Sequence, residues 1–216
     1  LSTGKLLDAM MAQASKPKKQ TVKQQRIVET AIKMFAEKGY ANTSTAEIAK
    51  NAEVSEGTIF KHYGTKDHLL LSIIVPYLKE FFPSMADEVF HEIMSENVAT
   101  FEHFLHALLR NRIQFISENK EIFQVVVKEI FYKDELKNEL LPYFAENIII
   151  RINKVIEFYK ERGELIDIPN ERIQKMLFTF IGGFFVSRFV LLNNYTVSEV
   201  EIKDAIHFVL DGIRKR

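Results

Sequence analysis

Two serines, Ser44 and Ser55, constrain this chain more than any other feature. They sit in the stretch 43–66, TSTAEIAKNAEVSEGTIFKHYGTK, and each opens a short helix. Ser44 with Glu47 forms a capping box: the serine oxygen accepts from a free N–H of the first turn, and the glutamate reaches back to the cap residue's own N–H. Ile48, Ala49 and Ala52 then make a small inner face, followed by a break around Ala52, Glu53 and Val54. Ser55 is a second N-cap, and behind it Val54, Ile59 and Tyr63 point inward together. The small Ala49 lets the two helices cross closely, as a helix-turn-helix requires. The outward residues of the second helix are Glu56, Thr58, Lys61 and His62, short or basic groups suited to a groove and its phosphates.

A third wall stands upstream. Thr21 and Gln24 form another capping box, Ile27, Val28, Ala31, Ile32 and Phe35 make one apolar stripe, and Gly39 is the expected stop. Lys23 and Arg26 lie near the start of this helix, where basic side chains and a helix N-terminus can both touch phosphate. Three helices in so few residues make a core too small to stand alone, so this head is expected to lean on the helix that follows.

The residues Phe35-Ala36-Glu37-Lys38-Gly39-Tyr40, Ser44, Glu47-Ile48-Ala49, Val54-Ser55, Gly57-Thr58-Ile59 and Tyr63-Gly64-Thr65-Lys66 resemble the DNA-binding domain of TetR/AcrR-type transcriptional regulators. The resemblance implies that the helix over 55–62 enters the major groove. Ser44, Thr45, Ser55, His62 and Lys66 would then hold phosphates, while Thr58 and Lys61, joined by Glu56, would face base edges. Three residues depart from the family pattern. Phe60 stands in place of the usual Tyr and lacks its hydroxyl; Tyr63 stands in place of Phe and partly replaces it. Glu53 occupies a turn position that is often Gly, where a left-handed conformation carries strain.

The 216 residues are 47% apolar and 27% charged, with 8 Gly and 5 Pro, which predicts a folded, all-α protein. Eighteen Phe and no Trp give a core of phenyl rings. The absence of Cys excludes disulfides, thiolate nucleophiles and Cys-based metal sites. Net charge is zero but uneven: residues 1–66 hold 11 Lys+Arg against 6 Asp+Glu, and residues 67–216 hold 18 against 23. A basic head on an acidic body fits a nucleic-acid-binding unit carried by a non-binding one. No signal peptide is evident, and the longest uncharged apolar run, 176–187, is too short to span a bilayer, so a cytoplasmic protein is expected.

The expected organisation is an N-terminal arm over 1–19, a helix-turn-helix head over 20–66, and a helical ligand-binding and dimerisation body over 67–216. In the arm, Leu6, Leu7, Met10 and Met11 have helical spacing, and Lys16, Lys18 and Lys19 form a basic patch that lies along phosphates or stays solvated. The linking helix starts at Asp67 and runs to about 82, with Pro76 predicting a kink or break. Further helices are predicted over 85–94, 98–117, 120–132 and 135–162, then a helix capped by Asn170 and running to about 192. A last helix is predicted over 198–214, with Glu199 and Glu201 at its start and Arg214, Lys215 and Arg216 at its end.

The helix over 173–192 is apolar nearly all round, so it must be covered on more than one face. Gly182 and Gly183 at its centre allow close backbone approach. A two-fold dimer, in which this helix and the last one form a four-helix bundle with their copies, satisfies both features. The resemblance implies the same arrangement. The predicted interface comprises Phe180, Gly182, Gly183, Phe184, Phe185, Arg188, Phe189, Ile206 and Val209. A wholly intramolecular core helix is the other reading.

Aromatic stripes at helical spacing usually make core. The resemblance adds an inducer cavity among them, for which Phe101, Phe104, Phe115, Phe123, Phe131, Phe144 and Phe178 are candidates; their apolar character suits a hydrophobic or amphipathic molecule. His103 and His106 beside Glu102 have the spacing of a metal pair and read better as surface residues. No Ser-His-Asp order, phosphate loop or HExxH motif occurs, so no catalytic residues, metal or cofactor are expected. The function expected is a ligand-responsive dimeric repressor on a palindromic duplex operator. The rival is a helical lipid- or small-molecule-binding protein without specific DNA binding.

Overall fold

The computed structural model describes residues 6–7, 21–95 and 100–213. Its helices are α1 (Val22–Lys38), α2 (Thr45–Asn51), α3 (Glu56–Tyr63), α4 (Lys66–Ser95), α5 (Phe101–Glu118), α6 (Lys120–Tyr132), α7 (Asp134–Glu161), α8 (Asn170–Phe185) with a π-helical continuation over Val186–Leu191, and α9 (Glu199–Ile213). Met10, Met11, Lys16, Lys18, Lys19, Val98, Arg214, Lys215 and Arg216, which carried expectations above, lie outside the described residues.

The head forms where its caps say it should. Thr21 Oγ1 accepts from the Gln24 N–H at 3.3 Å, and Gln24 returns the bond to the Thr21 N–H at 3.0 Å. Ser44 and Glu47 do the same at 3.1 and 3.0 Å, and Ser55 accepts from the Thr58 N–H. α1 ends at Gly39, whose φ of 83° is free of Cβ strain. Ile27, Ala31, Phe35, Ile48, Ala49, Ala52 and Ile59 are all buried, and they join Leu69, Leu70 and Ile74 of α4, Ile122 and Val125 of α6, and Leu140 of α7 in one cluster. The head therefore leans on α4, the helix that follows it, and α6 joins it through Glu121. Each fully buried Ile or Leu contributes roughly 1.5–3 kcal/mol, so burial against Leu69, Leu70 and Ile74 of α4 adds to what the small head buries by itself. Leu6 and Leu7 also enter this cluster, and the Leu6 N–H donates to Asn119 Oδ1 at 2.6 Å.

The predicted break at Pro76 and the separate helix over 85–94 are replaced by a single 30-residue helix. α4 bends by 62° between its segments Lys66–Glu80 and Phe82–Met94, ahead of Pro83. A proline ring displaces the carbonyl four residues back and offers it no N–H. For Pro83 that carbonyl belongs to Lys79, and the Tyr143 O–H of α7 donates to it at 2.5 Å. Arg151 completes the brace, donating to the Pro83 carbonyl at 3.2 Å and pairing with Asp87 at 2.6 Å. The bend stays where a neighbouring helix satisfies the freed groups.

A second core fills the body. Phe101 and Phe104 stack at 5.9 Å, Tyr159 meets Phe101 edge-on at 5.3 Å, and Phe185, Phe189, Ile202, Ile206 and Leu210 close the far side. Asn170, expected as a cap, is instead the first residue of α8 after Pro169. Its side chain accepts from Lys160 Nζ at 2.7 Å and so fastens the 162–169 link to α7. With its π-helical end, α8 runs 22 residues from Asn170 to Leu191, long and apolar enough by composition to cross a bilayer, unlike the uncharged run read from sequence. Ile173, Leu177, Phe185 and Phe189 nevertheless pack one side of it into the second core. Ser198 and Glu201 form a capping box at the start of α9, with bonds of 3.3 and 2.9 Å.

Candidate nucleic-acid interface

α3 is held by Ile59, 1% exposed, with Val54 and Tyr63 packed beside it against the first core. The Tyr63 ring packs inward as expected, and burial raises its phenol pKa; the DNA contact that the resemblance implies for Tyr63 falls to its hydroxyl. Facing away are Lys61 and His62, both exposed, with Thr58 and Glu56 half-exposed. Phe60 stands out at 47% exposure. The amphipathic split of this one helix decides which side chains can enter a groove.

Several predicted phosphate contacts are already engaged. Ser44 Oγ donates to Glu47 Oε2 at 3.0 Å while it caps α2. Ser55 Oγ lies 2.9 Å from Thr58 Oγ1 while it caps α3. Thr45 Oγ1 donates to Glu56 Oε1 at 2.6 Å, joining the first residue of α2 to the first residue of α3. Lys66 departs most from expectation. Its ammonium donates to the carbonyls of Tyr40 and Thr43, both at 3.0 Å, and rests 4.2 Å above the Tyr40 ring. It closes the turn between α1 and α2, because carbonyls past a helix end need donors. Arg26, expected near phosphate, donates to Glu53 Oε2 at 2.9 Å. Glu53 itself adopts φ 54°, the left-handed conformation foreseen for it.

Behind this face a polar joint ties head to body. Glu121 of α6 accepts from the Tyr40 and Ala41 N–H groups at 2.6 and 3.2 Å. Tyr40 O–H donates to Asp67, and Lys128 pairs with the other oxygen of Asp67 at 2.9 Å. Burial alone would raise the Asp67 pKa, but the Tyr40 hydroxyl and Lys128 outweigh it and hold the carboxyl below the usual range. The buried Glu129 is faced by Lys133 at 3.1 Å and His68 at 3.6 Å. Sequence reasoning missed this joint: its partners lie as far as 81 residues apart, and no periodicity marks them.

The predicted cavity residues do not converge. Phe101 and Phe104 are solid core, and Phe144 packs on Phe82 at 4.6 Å in the other cluster. Phe131 and Phe178 are exposed at 70% and 42%. Phe115 and Phe123 are half-buried, with Phe123 edge-on to Phe189. Phenyl rings at helical spacing read alike whether they fill a core or line a void. The structure does have a cleft of about 180 Å3 at the head–body joint, lined by Leu7, Phe35, Tyr40, Asn119, Glu121 and Ile122 among others.

The predicted dimer residues divide. Phe185, Phe189 and Ile206 are buried in the chain's own second core and are unavailable to a partner. Gly182 and Gly183 face open space, and Phe180 stacks at 5.3 Å on Phe208, itself 73% exposed. Met176 and Phe178 add to this outward apolar surface. Val209 is half-buried. Phe184 lies under the Arg188 guanidinium, which pairs at 2.6 Å with Glu201 of α9. Of the His103–His106 pair considered for metal, His106 meets Glu199 of α9 at 2.9 Å, and the neighbouring Glu102 is met by His207 of α9 at 3.6 Å.

Two capped helices packed on each other, braced by a third and mounted on a larger helical body, define a helix-turn-helix protein. Residues 27–73 match the model of the bacterial regulatory proteins of the tetR family. The chain is 27% identical over 204 residues to YuxN of Bacillus subtilis, described as an uncharacterized HTH-type transcriptional regulator; the match covers 89% of this chain and 63% of YuxN. It spans 63% and 48% of the lengths of the two curated relatives first matched. Among solved structures, the fold is shared with a transcriptional regulator from Saccharomonospora viridis in complex with choline, at TM-score 0.59, 19% identity and coverage of 91% and 100%. It is also shared with the transcriptional regulator FadR of Bacillus subtilis in complex with stearoyl-CoA, at TM-score 0.53, 18% identity and coverage of 86% and 95%. The head is therefore a helix-turn-helix of the kind found in the tetR family of bacterial regulatory proteins.

Proposed function

We propose that this protein is a ligand-responsive transcriptional repressor that binds a palindromic duplex operator as a homodimer. The observation that carries the reading is α3, which holds Ile59 and Tyr63 inward and presents Thr58, Lys61 and His62 outward from a head rigidly packed on the body. In the groove, Thr58 and Lys61 face base edges and His62 faces phosphate. The second head is supplied by a copy docked on the α8–α9 surface around Phe180, Gly183 and Phe208, which sets half-sites about one helical turn, ~34 Å, apart.

The ligand is a hydrophobic or amphipathic molecule held by the body. The FadR complex with stearoyl-CoA supports an acyl class, and the choline complex supports a small cationic headgroup. A ligand that moves α6 acts on the head through Glu121 and Lys128, which hold the α1–α2 turn and the first turn of α4. Head spacing changes and operator affinity falls; by linkage, DNA weakens ligand binding by the same factor. The relatives are regulators rather than enzymes, and the reading implies a bacterial protein working in the cytoplasm.

The test is binding of the full chain to its own upstream DNA at two salt concentrations, with and without stearoyl-CoA or choline. Specific binding that weakens steeply with salt and is released by one of the two supports the repressor. The second reading, a helical small-molecule-binding protein without specific DNA binding, draws on Glu53, Glu56 and Phe60 in the head. Ligand binding without any sequence-selective DNA affinity would establish it.

A further inference from the structure

The pair Thr45–Glu56 is unusual for a surface meant to meet a polyanion, because it places a carboxylate at the leading end of the groove-facing helix. We infer that Glu56 reads cytosine, and that Thr45 aims it. This deepens the operator-binding reading and rests on it.

In a helix-turn-helix the N-terminal residues of the second helix meet base edges, while the first helix crosses the backbone. Glu56 is the first residue of α3, so it stands where base edges pass. Thr45, the first residue of α2, holds Oε1 of that carboxylate at 2.6 Å. A long, flexible side chain is thereby fixed in one direction, and Oε2 is left to accept from another donor. The entropy of ordering it is spent before DNA arrives, which is what a selective contact needs. A carboxylate is an acceptor with no proton to offer.

Of the four bases, only cytosine shows the major groove a donor with no acceptor beside it. Guanine presents O6 and N7, thymine presents O4, and adenine sets N7 next to its amine. A fixed carboxylate is attracted to the cytosine amine and repelled by every one of those acceptors. Its charge also opposes phosphates everywhere, which lowers affinity for all sequences lacking the matching amine. Discrimination is bought with some loss of total affinity.

The experiment is enrichment of duplexes from a randomised library by the full chain, comparing wild type, Glu56→Gln and Thr45→Val. The wild type should enrich cytosine at one position of each half-site. Glu56→Gln keeps the shape but adds an amide donor that suits the adenine edge, so that position alone should shift from cytosine towards adenine, by about fivefold or more. Thr45→Val should blur the same position and no other. Thermal melting of both variants checks that the head remains folded. A wild type that enriches a sequence which Glu56→Gln leaves unchanged, with affinity rising uniformly, overturns this inference alone and makes Glu56 a plain repulsive charge. A wild type that enriches nothing overturns the operator-binding reading together with it.

Discussion

Glu53 holds φ 54° in the turn between α2 and α3, where a Cβ meets its own backbone at a cost of roughly 1–2 kcal/mol. Its bridge to Arg26 is mostly exposed, with 80% of the Glu53 side chain in solvent, so it offsets little of that. Glu53→Gly should therefore raise stability by about 1 kcal/mol, read as a higher urea midpoint at unchanged slope; a fall would mean the Arg26 bridge outweighs the strain. Glu201 gives a pH prediction. Its bonds from the Ser198 N–H, then from Arg188 and the Ser198 hydroxyl, lower its pKa from 4.5 to about 2. A depressed acid stabilises the fold above its unfolded pKa and loses that contribution as pH falls through the folded value. NMR titration should show Glu201 protonating near 2, and Glu201→Gln should flatten the stability change between pH 4.5 and 2. The sequence places Glu201 in the first turn of α9, and the structure adds Ser198 as its cap. Arg188, expected at the dimer interface, takes Glu201 as its partner because the fold brings α8 and α9 together.

α4 shows what a helix-level reading can and cannot supply. Both prolines remove an N–H, and local chemistry ranks Pro76 and Pro83 equally as bend sites. The fold chose Pro83, since Tyr143 and Arg151 of α7 stand beside the carbonyls of Lys79 and Pro83. Tyr143→Phe should destabilise the protein by about 1 kcal/mol, the net value of one hydrogen bond, measured by chemical denaturation. No change would show that water replaces the hydroxyl at no cost and that the brace rests on Arg151. At the same scale, cap residues located the helices of the head because a first turn depends on its nearest neighbours. The aromatic stripes do not tell a core ring from a lining ring, because whether a ring fills or lines a space depends on the helix opposite.

For the whole molecule, the outward apolar surface of α8 and α9 makes a sharp prediction. Phe208 is 73% exposed and stacks on Phe180, so Phe208→Asp should leave the melting temperature of the single chain nearly unchanged. In the proposed homodimer the same substitution should shift the mass from dimer to monomer in gel filtration with light scattering. A variant that stays dimeric would move the interface away from α8 and α9.

The sequence alone determined the all-helical class, the capped helix-turn-helix and its inward residues, because caps, glycine stops and 3.6-residue periodicity act over a few neighbours. Tertiary structure decided the rest. It assigned Lys66 to the carbonyls of Tyr40 and Thr43, tied Glu56 to Thr45, set Phe185, Phe189 and Ile206 in the core rather than on the surface, and joined head to body through Glu121 and Asp67. A charge or a phenyl ring has many partners within its chemical means; which one it takes depends on what folding brings within about 3–4 Å.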